Sequence, residues 1–209
     1  MTIPADEPIL IRRLVLFFDF CSSTSILEDL LRTENQRKWR DLIISMKVML
    51  KNEKDTANFD IYKFVGDGWI LLFPEDFPLD KLFSLLKRIC SKYETLYRNK
   101  IAPFLSTDIG TVGVTFGLDK GTLIRVVLNN QAEYLGRPLN VAARLQGSIK
   151  DRDASPQGKV LMSRPVAAAI KAKTRTSYRT TEVERKLRNI AGGERYKALK
   201  LNLFGKPRT

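Results

Sequence analysis

Two aspartates, Asp19 in Leu16-Phe17-Phe18-Asp19-Phe20-Cys21-Ser22-Ser23-Thr24 and Asp67 in Lys63-Phe64-Val65-Gly66-Asp67-Gly68-Trp69, each follow or interrupt an apolar run that reads as a strand. Each therefore sits at a strand end, where the backbone turns and a ligand can approach. Two carboxylates so placed suit a divalent metal pair, because hard cations take oxygen ligands. Each also has an ordinary alternative: Asp19 as a strand-end turn residue and Asp67 as a hairpin residue beside glycine.

The rest of the pattern sets the order of elements. Leu14 to Phe20 reads as a buried strand, and Ser22-Ser23-Thr24 offers N-cap chemistry for a helix with Ile26, Leu27, Leu30 and Leu31 on one side. Trp39, Leu42, Ile43, Met46 and Leu50 repeat at helical spacing up to a polar break at Asn52 to Asn58. Phe59 to Val65 and Trp69 to Phe73 form a hairpin around Gly66-Asp67-Gly68, whose glycines permit positive φ. A helix after Pro78 carries Leu82, Leu85, Leu86, Ile89, Tyr93 and Leu96, and strands are expected over Gly110 to Phe116 and Leu123 to Leu128. This is β-α-β-β-α-β, the split order of ferredoxin-like and palm folds, with helices covering one sheet face. A helix from about Pro138 to Gln146, a strand at Lys159 to Ser163, a short helix over Ala167 to Ile170 and strands around Tyr178 to Leu187 and Glu194 to Leu201 add a C-terminal αβ extension. Gly147 to Gly158 reads as a polar, mobile loop. The expected class is α+β, in one domain spanning 1–209, which is enough chain to bury a full core.

Composition removes whole classes of chemistry. The chain has no histidine, which excludes serine-histidine triads, histidine-based zinc hydrolysis and histidine acid-base catalysis, and leaves carboxylates, cations and metal. Cys21 and Cys90 lack the paired spacing of a zinc site or disulfide framework, so a reducing, cytoplasmic compartment is expected. Neither a secretory leader nor a membrane span is legible. The net charge is +13, and from Arg144 onward seventeen basic residues face five acidic ones. Such a region attracts polyanions. Basic runs are more often solvated faces, little aromatic interleaving is present to stack nucleic-acid bases, and a nucleoside triphosphate is an equally good anion. Asp19, Asp67 and the helix start after Asp19 converge on one small volume, suited to a metal-bound triphosphate.

The sequence resembles the class III nucleotidyl cyclases, the catalytic domains of adenylate and guanylate cyclases. The resemblance covers nearly the whole chain and rests on Phe17 to Phe20 with Ser23-Thr24, Lys63 to Gly68, Gly113 to Gly121, Glu133 to Leu145 and Gly158 to Ser163. It implies the class III cyclase fold, with Asp19, Asp67 and the Phe20 carbonyl binding two Mg²⁺ or Mn²⁺ ions. Cys21, Ser22, Ser23 and Thr24 would cradle the phosphates with Phe20, Asn140 would orient the ribose, and Arg144 would stabilise the reacting phosphate as the 3′-hydroxyl attacks. Without that resemblance, Asn140 reads as a helix cap and Arg144 as a surface residue. Lys186 to Ile190 matches the segment that supplies a lysine to the terminal phosphates, and Arg188 takes its place, with Lys186 an alternative alignment. The family builds its site between head-to-tail subunits, so a homodimer with two equivalent sites is implied.

Lys63 and Glu133 fall at the two base-reading positions, where adenylate cyclases use lysine and aspartate. The longer glutamate would narrow the pocket, which suits a pyrimidine. The first catalytic strand begins close to Met1 and the last expected strand ends close to the C-terminus, so no sensor domain is expected. Together with Glu133-Tyr134-Leu135-Gly136 and Leu145-Gln146, these features are similar to the bacterial pyrimidine cyclases of the Pycsar anti-phage system. That resemblance implies UTP as substrate, cyclic UMP as a second messenger in antiviral defence, and a separate cyclic-nucleotide-responsive effector. ATP giving cyclic AMP and CTP giving cyclic CMP stay open.

Overall fold

A computed structural model describes residues 7–149 and 157–205. The chain runs β1 (Ile9–Phe20), α1 (Ser23–Arg32), α2 (Gln36–Ala57), β2 (Asp60–Phe64), β3 (Gly68–Pro74), α3 (Leu79–Lys100), a 3₁₀ turn (Ala102–Phe104), β4 (Val114–Leu128), β5 (Gln131–Leu135) and α4 (Arg137–Gln146). It continues through β6 (Lys159–Ser163), α5 (Arg164–Ala168), α6 (Ala172–Thr176), β7 (Arg179–Arg185) and β8 (Tyr196–Asn202). One sheet takes the order β2-β3-β1-β4-β6-β8-β7, and β5 pairs with β4 beside it. The α+β class and the expected strand-helix order are both present. The centre of the expected loop over 147–158, at 150–156, lies outside the described residues.

The alternation along β1 explains the layers. Leu14, Leu16, Phe18 and Phe20 point to the main core with α1, α2 and α3, while Val15 and Phe17 join a second cluster with Ala142 and Leu139 of α4. Each large side chain fully buried there contributes roughly 1.5–3 kcal/mol. The helices therefore cover both faces, correcting the one-face expectation: α4 packs opposite α1–α3. Its closest approach is at Gly117, where any Cβ would lie 2.0 Å from the Ala142 carbonyl oxygen.

That approach also explains a second correction. Two strands are expected over Gly110 to Phe116 and Leu123 to Leu128, but β4 runs unbroken for fifteen residues and pairs with β1 from Ile9↔Arg125 to Phe20↔Val114. Gly117 and Gly121 mark helix contact, since glycine in a strand often marks close approach of another backbone. The turn Asn129-Asn130, with φ of 53° and 60°, then returns the chain as β5, a strand absent from the sequence reading. Nor does α2 stop at the polar break: it continues to Ala57 on a solvated face and ends at Asn58 with φ 48°. Among the described residues, no helix is long and apolar enough to cross a membrane.

Candidate active site

Asp19 is the penultimate residue of β1, its side chain on the α4 face, directly opposite Gly68 at the start of β3. Gly68 has to be glycine: a Cβ there would meet the Phe18 carbonyl oxygen at 2.0 Å and Asp19 Oδ1 at 3.0 Å. Gly66, at φ 79°, turns the hairpin so that Asp67 comes back toward Asp19. Below them Phe20 locks the strand end, its ring stacked on Tyr93 at 4.4 Å and set edge-on to Trp39 and Trp69.

The two carboxylates lie within interacting reach. Burial, followed by the hydrogen bond and charge of Asp67, pushes the Asp19 carboxyl up to about 7. Phe20 N–H and Gln146 offset part of this, and Gln146 Nε2 also donates to Thr115 Oγ1 at 3.0 Å. Asp19 Oδ1 is buried with no hydrogen-bond partner. A buried carboxylate oxygen without a hydrogen-bond partner, beside a second carboxylate, suits a cation, and the oxygen-only donor set fits Mg²⁺ or Mn²⁺. Among the described residues no three acidic, cysteine or histidine side chains cluster, so further ligands would have to come from backbone, water or substrate.

Beside this pair, Ser22 takes the left-handed conformation (φ 56°) and makes no side-chain cap, contrary to the capping expectation. Ser23, buried, instead donates its hydroxyl to Asp67 Oδ2. With the side-chain cap absent, the first backbone N–H groups of α1 are free to receive an anion. Cys21 N–H is tied to the Gly113 carbonyl at 2.8 Å, which fixes the path of the loop. Thr24 is exposed at the same helix start.

A second group of residues lies apart from the first. Lys63 Nζ is 3.2 Å from Glu133 Oε2, joining β2 to β5. Asn140 and Arg144 are exposed on the outer side of α4, one turn apart, with no partner among the described residues. Asn140 lies inside the helix, which rules out the capping alternative, since Gly136 holds the cap position. In the turn between β7 and β8, Lys186 pairs with Glu194 at 3.0 Å, whereas Arg188 is exposed without a partner among the described residues. No described contact joins this group to Asp19 or Asp67. Tyr62 and Gln146, which touch Glu133 and Asp19 respectively, carry no role in the sequence reading. Tyr62 is invisible there because its reach depends on a β-bulge.

No protein-family model matches the sequence, and no curated protein matches it. Solved structures do. The adenylyl cyclase CyaB from P. aeruginosa superposes with a TM-score of 0.70 at 16% identity, over 93% of this chain and 95% of that one. The guanylyl cyclase Cya2 gives 0.68 at 14% identity, over 93% of each chain. A bacterial light-regulated adenylyl cyclase gives 0.69 at 17% identity, and this chain, covered over 96%, spans about half of it (54%). The chain has the fold of the class III adenylyl and guanylyl cyclase catalytic domains.

Proposed function

We propose that the protein is a nucleotidyl cyclase that converts a ribonucleoside triphosphate, UTP foremost, to the 3′,5′-cyclic nucleotide and pyrophosphate. The observation that carries this reading is the division of the site into two sets with no described contact between them, within the cyclase fold. One set is the Asp19–Asp67 pair with its anion-ready helix start. The other is Lys63, Glu133, Asn140, Arg144 and Arg188. A second copy of the chain placed head-to-tail brings one set against the other, giving two equivalent sites. Apolar side chains exposed along the β4–β5 arm and the start of β1, Leu128 (55%), Leu135 (54%) and Leu10 (69%) among them, support self-association.

In this reading Asp19, Asp67 and the Phe20 carbonyl hold two divalent ions, which supply the Lewis acidity that lowers the pKa of the 3′-hydroxyl. The backbone N–H groups at Ser22 to Thr24 receive phosphate oxygens. Asn140 orients the ribose so that the hydroxyl faces the α-phosphorus. Arg144 stabilises the charge that develops there as the new P–O bond forms and pyrophosphate leaves. Arg188, unlike the paired Lys186, is available to the terminal phosphates. Lys63 and Glu133 present a donor beside an acceptor to the base edge. The cyclic product acts as a second messenger in anti-phage defence, read by a separate effector.

The test is incubation of the purified protein with each of the four ribonucleoside triphosphates and Mn²⁺ or Mg²⁺, with products identified by mass spectrometry. Cyclic UMP as the main product is expected. Cyclic AMP or cyclic CMP as the main product would replace the base assignment and leave the reaction standing. No cyclic nucleotide from any of the four would overturn the enzyme reading.

A further inference from the structure

We propose that Tyr62 is the residue that sets base selection, by fixing the Glu133 carboxylate through a hydrogen bond at 2.5 Å. This rests on the nucleotide-site reading above. The register of β2 on β3 shifts between Ile61 and Lys63, so Tyr62 is the extra residue of a bulge. A bulge re-aims a side chain. Here it lets Tyr62 and its neighbour Lys63 both reach Glu133, which alternation along a regular strand would prevent.

The hydroxyl has no freedom to do anything else. It carries one proton and can accept two hydrogen bonds. Tyr134 N–H donates to it at 3.1 Å, and the rival acceptor for its proton, the Tyr134 carbonyl, is 3.5 Å away. The proton therefore goes to Glu133. Edge-to-face packing of the Tyr62 and Tyr134 rings, 4.9 Å apart at 89°, holds the phenol in place. Burial, with Glu133 beside it, raises the Tyr62 phenol, which keeps it protonated as a donor. The bonds from Tyr62 and Lys63 hold the Glu133 carboxyl below its ordinary value, which keeps it an acceptor.

Glutamate has one more rotatable bond than aspartate, and an unanchored glutamate would sweep its carboxylate through the pocket. Oε2 takes the Tyr62 proton and the shorter Lys63 contact, at 3.2 Å, while Oε1 holds only the longer Lys63 contact, at 3.4 Å, and keeps acceptor capacity for a ligand at a fixed position beside the ammonium. That pair selects a base edge with an N–H next to an acceptor, at one distance from the sugar. Tyr62 acts through Glu133, and no described contact joins it to Asp19 or Asp67, so it is a positioning residue.

The experiment is calorimetric binding of the four 3′-deoxynucleoside triphosphates, which lack the attacking hydroxyl, to the full chain with Mn²⁺. Wild type should prefer one base. Tyr62→Phe keeps the ring packing and should bind that nucleotide about tenfold more weakly, the effect of one lost charge-assisted hydrogen bond. Its preference among the four should narrow, with the melting temperature nearly unchanged. Glu133→Gln should narrow it likewise, and the double variant should add little, because the two residues act as one unit. Equal binding of all four bases by wild type, or an undiminished preference in Tyr62→Phe, would overturn the proposal. So would a fall in melting temperature with no change in preference in Glu133→Gln. Failure of the cyclase reading shows differently, as base-selective binding with no cyclic product from the ordinary triphosphates.

Discussion

Replacing Asp19 by asparagine should stabilise the metal-free protein at neutral and alkaline pH while destroying its response to metal. The Asp19 carboxyl goes from its ordinary 3.8 in the unfolded chain to about 7 in the fold, through burial first and the neighbouring Asp67 second. Between those values the folded chain holds a proton that the unfolded chain has lost. Stability from this group is therefore complete below 3.8 and lost as pH rises through about 7. At about 1.4 kcal/mol per pH unit the whole interval is worth about 4 kcal/mol. Asp19 is only half-buried, and solvent screening brings this to about 2 kcal/mol. About two thirds of that interval lies between pH 5 and pH 8, which for a chain of this size is a decline of about 3–5 °C in melting temperature in EDTA. The assay is thermal melting across that range for wild type and Asp19→Asn, with and without Mn²⁺. Wild type should show the steeper decline and recover at pH 8 when Mn²⁺ is added, while Asp19→Asn should do neither. Equal slopes in EDTA would refute the argument that two crowded carboxylates await a cation.

Three further outcomes follow from the packing. Gly117→Ala places a Cβ 2.0 Å from the Ala142 carbonyl oxygen and should cost about 3 kcal/mol or more, read by urea denaturation, because α4 must lift off β4. Leu128→Glu on the exposed β4–β5 arm should leave the fold intact, by circular dichroism, and shift the chain toward monomer in analytical ultracentrifugation, with specific activity falling in step. Arg188→Ala should raise KM for the triphosphate far more than Lys186→Ala does, since Lys186 is already engaged by Glu194 at 3.0 Å.

What the sequence makes legible and what it hides have physical reasons. The β1 run, the α3 stripe and the Gly66-Asp67-Gly68 hairpin announce themselves because their periodicity is the burial pattern itself. Asp19 and Asp67 are legible for the same reason, as charges where an apolar pattern ends. The continuity of β4 is hidden because Gly117 and Gly121 look like turn residues, and only the crossing of α4 gives them another purpose. β5 is hidden behind an asparagine pair that makes a tight turn without glycine. The Ser22 cap fails because a left-handed residue cannot aim its hydroxyl at the helix start, leaving Ser23 to hold Asp67. Tyr62 is beyond any pattern argument, since a bulge changes which side of the strand it serves.

In the proposed cyclase neither set of residues acts without the other, and each comes from a different copy of the chain. Mixing Asp67→Ala with Arg144→Ala tests this directly. Both side chains are at the surface or a hairpin tip, so both variants should fold, and each alone should be inactive. Random exchange makes half the dimers mixed, each with one intact site of two, so the mixture should recover about a quarter of wild-type cyclase activity. A mixture as inactive as its parents, with mixed dimers demonstrably present by native mass spectrometry, would contradict the account.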